Sequence, residues 1–184
     1  MLETIEESGN FTRVYELMRE AFPACETRPF EAARTQLARP EYRIRVLREN
    51  GEITAFIATW EFPGLRFIEH FAVDAARRGG GIGSAMLREY LGLSAKPVYI
   101  EVDSAQKAAD ETPEEKRRIR FYERLGFELS GFGYEQPTLR EHAGRVFLRI
   151  MGYPSAPDGP AFLRLRDLLF TRVYGCAAPG APRP

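Results

Sequence analysis

The segment Arg66 to Leu91 constrains this chain more than any other. It begins as an apolar run, breaks at the basic pair Arg77-Arg78 and the glycines Gly79, Gly80, Gly81 and Gly83, then resumes with helical spacing. That layout describes a strand feeding a tight turn whose exit is the N-terminus of a helix. The unpaired amides there, with the helix dipole behind them, suit an anion, most often a phosphate.

The rest of the chain narrows what could carry that phosphate. A length of 184 residues fits one domain with a real core, and the expected division is a single domain over residues 1–176 with a frayed Ala/Pro/Gly-rich tail over 177–184. Lys plus Arg equals Asp plus Glu at 26 each, so no global charge steers the protein toward nucleic acid or an anionic membrane, and any basic site is local. The acidic start lacks the apolar core of a signal peptide. No run reaches the roughly 18 apolar residues of a membrane span. Cys25 and Cys176 lie far apart without metal-like spacing and read as free thiols, so the expected compartment is the cytoplasm and no metal is expected.

In chain order, Leu2 to Glu6 suggests a short strand. Phe11, Val14, Tyr15, Leu17, Met18 and Phe22 recur at helical spacing, with Asn10 or Thr12 as cap and Pro23 as stop. A second helix is predicted over Phe30 to Ala38. Tyr42 to Leu47 and Ile53 to Trp60 read as a hairpin with Asn50-Gly51 at its apex. After the opening segment come a strand over Val98 to Val102 and a polar loop over Asp103 to Glu111. Thr112-Pro113-Glu114-Glu115 then has the form of a capping box. Its helix carries Ile119, Tyr122 and Leu125 on one side and ends at Gly126, which suits a left-handed C-cap. Phe127 to Tyr134 and Arg145 to Met151 read as strands, and Phe162 to Tyr174 as a final amphipathic helix. The order predicts a mixed sheet with helices on its faces.

Three glycine loops compete for the opening segment. A P-loop requires Gly-Lys-Ser/Thr at the helix start, and Gly81-Ile82-Gly83-Ser84 has no lysine. A dinucleotide fingerprint built on Gly81-x-Gly83 would place Met86 where its third glycine belongs, and the strand arrives from a hairpin rather than opening a βαβ unit. The third fits: Arg78-Gly79-Gly80-Gly81-Ile82-Gly83 matches Arg/Gln-x-x-Gly-x-Gly/Ala. Phe71-Ala72-Val73-Asp74 precedes it, and Phe121-Tyr122-Glu123-Arg124-Leu125-Gly126-Phe127 follows about forty residues on. Together these segments resemble the GNAT superfamily of acyl-CoA-dependent N-acetyltransferases over roughly Tyr42 to Met151, and the run Phe67 to Val73 with Gln136-Pro137 also resembles a bacterial subgroup of it without an assigned substrate.

The resemblance implies an α/β (α+β) fold with a mostly antiparallel central sheet of six to seven strands and helices on both faces. It also implies acetyl-CoA as donor. The pyrophosphate would be bound by Arg78, Gly79, Gly80, Gly81, Ile82, Gly83 and Ser84, and the pantetheine would pair with the backbone of Phe71, Ala72 and Val73. Tyr122 occupies the position of the family's general acid. Glu101 resembles the strand glutamate proposed as base in ribosomal-protein N-terminal acetyltransferases, with Glu69 and His70 as rivals for that role. Because strand neighbours point to opposite faces, at most one of these two rivals is expected to face the acceptor channel directly.

Neither cysteine lies near a motif, so direct attack in a ternary complex is expected, on a small-molecule amine or a protein N-terminus. A non-catalytic acyl-CoA-binding domain is the alternative. The chain departs from the family in lacking the asparagine common between the fifth strand and the tyrosine helix, and in a long polar segment from Ser104 to Lys116. His142 falls in the acceptor-side loop, the run Lys116 to Arg120 reads as a solvated basic face, and the C-terminal helix is a candidate dimer element.

Overall fold

A computed structural model describes residues 2–5, 10–103, 110–140 and 146–179 of the chain. It forms two compact units, residues 1–100 and 101–184. Seven strands and five helices are described, and four of the five described strand pairings are antiparallel. No helix among the described residues is long and apolar enough to cross a membrane.

The first unit carries β1 (Glu3–Ile5), α1 (Phe11–Ala21), α2 (Phe30–Thr35), β2 (Tyr42–Glu49), β3 (Glu52–Glu61), β4 (Arg66–Val73) and α3 (Ile82–Gly92), and β5 (Val98–Asp103) begins in it. The hairpin signal holds at the backbone level. Asn50 and Gly51 both take left-handed φ, 53° and 84°, as a two-residue turn matched to strand twist requires. β2 alternates as its sequence does, burying Tyr42, Ile44 and Val46 and leaving Arg43 and Arg45 half-exposed. β3 does not alternate: every residue from Ile53 to Trp60 is buried, so both faces of this strand are covered. Helix α1 packs on β3 and β4 through Phe11, Val14, Tyr15, Leu17 and Met18. Asn10 precedes α1 without a side-chain capping bond, and the second predicted helix is α only to Thr35, tightening to a 3₁₀ turn over Gln36–Ala38.

Arg66, the first residue of the constraining segment, is 3% exposed. Its guanidinium donates to the carbonyls of Tyr90 at 2.8 Å, Leu91 at 3.2 Å and Ser94 at 2.8 Å, and its charge lies 4.6 Å from the centre of the Tyr90 ring. A cation on the last carbonyls of α3 satisfies their lone pairs and complements the helix dipole. The strand's start is thereby tied to the helix's end.

The second unit contains α4 (Pro113–Glu123), β6 (Glu128–Glu135), β7 (Phe147–Tyr153) and α5 (Gly159–Leu168), followed by a π-helical turn over Leu169–Tyr174. The capping box is formed as expected. The Thr112 hydroxyl accepts from the Glu115 amide at 3.2 Å, and the Glu115 carboxylate accepts from the Thr112 amide at 2.5 Å. Gly126 takes φ 89°, the left-handed conformation expected after α4. The final helix starts three residues before Phe162, because Asp158 caps it through the Ala161 amide at 2.8 Å and Pro160 fits the first turn. Phe162, Leu165, Leu169, Phe170 and Val173 are buried, while Leu163 of the same helix is exposed.

Candidate active site

The glycine loop is built from backbone. Asp74 closes the turn after β4 by accepting from the Ala76 amide at 2.9 Å and pairs with Arg13 at 2.6 Å. Arg78 turns back, its Nε donating to the Val73 carbonyl at 3.1 Å. Gly79 and Gly81 then take left-handed φ of 92° and 80°, and Gly81 is the N-cap of α3 with no side-chain capping bond. The first amide to enter that helix's own ladder is Ala85, bonded to the Gly81 carbonyl at 3.0 Å. The amides of Ile82, Gly83 and Ser84 therefore have no intrahelical acceptor. A Cβ added at Gly79, Gly80 or Gly81 would meet nothing within 4 Å, so the loop borders open space. The two left-handed glycines are required by conformation; the open space is what an anion could use.

β4 feeds this loop. Its parallel register with β5 covers Arg66↔Val98, Phe67↔Tyr99 and Ile68↔Ile100, whereas its antiparallel register with β3 continues to Ala55↔Val73. Phe71, Ala72 and Val73 thus lie on the stretch of β4 that runs on toward the loop past the described β5 register.

Glu69 and His70 correct an expectation drawn from strand alternation. The β3–β4 register slips between Ala58 and Thr59, which face His70 and Ile68, so Glu69 is the extra residue of a bulge. Both side chains then reach the same short segment ahead of α2. Glu69 pairs with Arg28, and His70 Nε2 lies 3.1 Å from the Glu26 carbonyl. The Glu69 side chain is 5% exposed and also accepts from Trp60 Nε1 at 2.9 Å. Burial alone would raise its carboxyl, but the charges of Arg28 and His70 and the hydrogen bonds from Arg28 and Trp60 outweigh it, leaving Glu69 below the usual carboxylate range. A carbonyl can only accept, so His70 carries its proton on Nε2 and presents a lone pair at Nδ1, which is buried without a hydrogen-bond partner among the described residues. Burial holds the His70 imidazole below its ordinary value despite the opposing pull of Glu69. Arg28, Trp60 and the neighbouring Tyr42, whose phenol is pushed up by burial and by Glu69, were not singled out by the sequence.

In the second unit, β5 buries Val102 and leaves Glu101 and Asp103 half-exposed. Glu101 accepts from two phenols: Tyr134 on β6 at one carboxylate oxygen, and Tyr174 on the π turn at 2.6 Å at the other. Asp103 pairs with Arg118 of α4 at 2.5 Å, so one arginine of the basic run has a structural partner. Tyr122 is 6% exposed, its ring 5.1 Å from that of Phe121 and 5.6 Å from that of Phe127. Burial pushes its phenol well above the ordinary value, against a smaller opposing effect of Arg118, so the hydroxyl keeps its proton. His142 lies outside the described residues.

A family model for acetyltransferases of the GNAT family matches residues 11–127, well over half of the chain. The chain belongs to the GNAT family. Its mixed, mostly antiparallel α/β architecture is that of GNAT enzymes. A solved structure described as a GNAT-family acetyltransferase from Bacteroides thetaiotaomicron is 28% identical, with a TM-score of 0.83 over 95% of this chain and 98% of that one. The ribosomal-protein-S18-alanine N-acetyltransferase of Escherichia coli shares 22% identity at a TM-score of 0.61, covering 86% and 96% of the two chains. Naa50 of Arabidopsis thaliana, solved with the bisubstrate analogue CoA-Ac-MVNAL, shares 19% at 0.59, covering 83% and 96%. At those identities the last two speak to the fold alone. No curated protein matches the chain. The GNAT-matched region includes the glycine loop, Glu69, His70, Glu101 and Tyr122; Tyr134 and Tyr174 lie beyond it.

Proposed function

We propose that this GNAT protein is an acetyl-CoA-dependent N-acetyltransferase acting on a primary amine by direct attack. The observation that carries the reading is the left-handed glycine loop, which opens onto clear space and leads straight into a helix with no side-chain cap. The amides of Gly79 to Ser84 would bind the donor's pyrophosphate, with Arg78 at the loop's entry, and the backbone of Phe71, Ala72 and Val73 would pair with the pantetheine. An amide at Ala72 or Val73 would polarise the thioester carbonyl. The single-domain reading of residues 1–176 is part of this proposal.

The acceptor reaches the site as an ammonium and must lose a proton before its nitrogen has a lone pair. Glu101 takes that proton. The nitrogen attacks the thioester carbon, the C–N bond forms, and as the C–S bond breaks the thiolate takes a proton from Tyr122. Glu101 then returns its proton to solvent, the nitrogen's second proton also passes there, and Tyr122 is restored from solvent, so one proton is released per turnover. Glu69 suits the base role less well, since it is ion-paired with Arg28 on a side chain 5% exposed, whereas Glu101 is half-exposed on β5.

Incubation of the full chain with acetyl-CoA and a broad panel of amines, read by thiol release, is expected to identify at least one acceptor. CoA binding with no transfer to any amine would instead leave a non-catalytic acyl-CoA-binding domain. Gly81→Val tests the donor site. A β-branched residue at φ 80° is strained by about 1–2 kcal/mol. It also fills the space claimed for the phosphate, so the KM for acetyl-CoA is expected to rise roughly 30-fold or more. A variant that remains folded with an unaltered KM would remove the pyrophosphate from this loop.

A further inference from the structure

Glu101 is gripped from two elements outside the GNAT-matched region, and we propose that Tyr134 and Tyr174 are positioning residues that set its orientation and its proton affinity. The inference rests on the reading of Glu101 as the general base. Both carboxylate oxygens accept a phenol proton, one from Tyr134 of β6 and the other from Tyr174 at the last position of the π turn. Two donors from different elements leave the carboxylate little rotational freedom, and catalysis by a base depends on such alignment. Hydrogen bonds to the charged form favour it, so removing either phenol donor withdraws part of that stabilisation. Among the described residues, Asp103, two positions further along β5, pairs with Arg118 of α4 at 2.5 Å.

The surrounding structure serves the two hydroxyls. The Tyr134 ring packs against Phe170 at 5.5 Å and Phe162 at 6.1 Å, and the Tyr174 ring against Phe170 at 6.0 Å. Phe170 therefore braces both tyrosines, and it belongs to the π turn. One extra residue per turn changes which side chains share a face, and such turns recur at functional sites. The terminal helix is thereby a working part of the acceptor chemistry: it delivers Tyr174 to Glu101 and backs Tyr134.

The substitutions Tyr174→Phe and Tyr134→Phe keep both rings and remove only the donors. Full-length protein carrying glutamate labelled with 13C at the side-chain carboxyl reports the Glu101 titration directly, the resonance being assigned by its loss in Glu101→Gln. Each phenylalanine variant is expected to move the Glu101 midpoint upward by about one pH unit. A base must be deprotonated to act, so the acidic limb of kcat/KM for the amine should move to higher pH by the same amount. The KM for acetyl-CoA should not move, and in the Glu101→Gln background neither tyrosine substitution should alter the profile further. Should one variant fail to fold, the other carries the test. A Glu101 titration identical in wild type and variants, or a moved titration with an unmoved acidic limb, would overturn the proposal. Because the resonance is read without substrate, a wild-type chain inert toward every amine, with the titration still responding, points to failure of the N-acetyltransfer reading rather than of the tyrosine–glutamate coupling.

Discussion

Arg28→Ala is expected to lower the free energy of unfolding by about 3 kcal/mol at pH 7.5, read by urea titration of the full chain. The substitution leaves the Glu69 carboxylate, on a side chain 5% exposed, with the Trp60 N–H but without its cation. The cost should shrink on acidification. In the wild type both Glu69 and His70 titrate below their ordinary values of 4.5 and 6.5. Their contribution is therefore complete above those values and is lost as pH falls, through His70 first and then Glu69. Arg28 is one of the charges that lower both groups. Without it both proton affinities rise, and a proton taken up by Glu69 or His70 replaces part of the missing charge. The variant's folded state then binds more protons than the wild type's, and the gap between the two narrows between pH 7.5 and about pH 5. A gap under about 1 kcal/mol, or one that does not change with pH, would show that the ion pair is not what holds Glu69 in place.

This cluster also shows where sequence reasoning stops. The hairpin turn at Asn50-Gly51, the capping box at Thr112 and the left-handed Gly126 are all found as read, because each signal is complete within four residues. The glycine loop is legible for the same reason: left-handed backbone at Gly79 and Gly81 selects residues without a Cβ. The bulge at Glu69 is not legible, since it is a relation between two strands. Alternation along β4 alone assigns Glu69 and His70 to opposite faces, while the slip against β3 turns both toward residues 26–28. Arg28 stands 41 residues from Glu69, and Tyr134 and Tyr174 stand 33 and 73 residues from Glu101. No local spacing encodes such pairs. The family resemblance nominated Glu101 as a base; that it is held by two phenols follows only from the tertiary arrangement of β6 and the terminal helix.

Tyr122→Phe is expected to reduce kcat by about 10²- to 10³-fold, the range attributable to one general acid, while leaving the dissociation constant for acetyl-CoA unchanged. The two effects separate because the side chain has two parts. Its ring lies between Phe121 and Phe127, and phenylalanine preserves that packing. The hydroxyl is the part assigned to chemistry. Burial raises its proton affinity above the ordinary tyrosine value of 10.0, so the hydroxyl stays protonated throughout the range in which the enzyme would work. It is therefore present as a donor to the thiolate that forms as the C–S bond breaks. The wild-type alkaline limb should accordingly not descend below about pH 10 on account of Tyr122. Unchanged turnover in the phenylalanine variant would show that the thiolate leaves without this proton, and Tyr122 would then be a packing residue of α4.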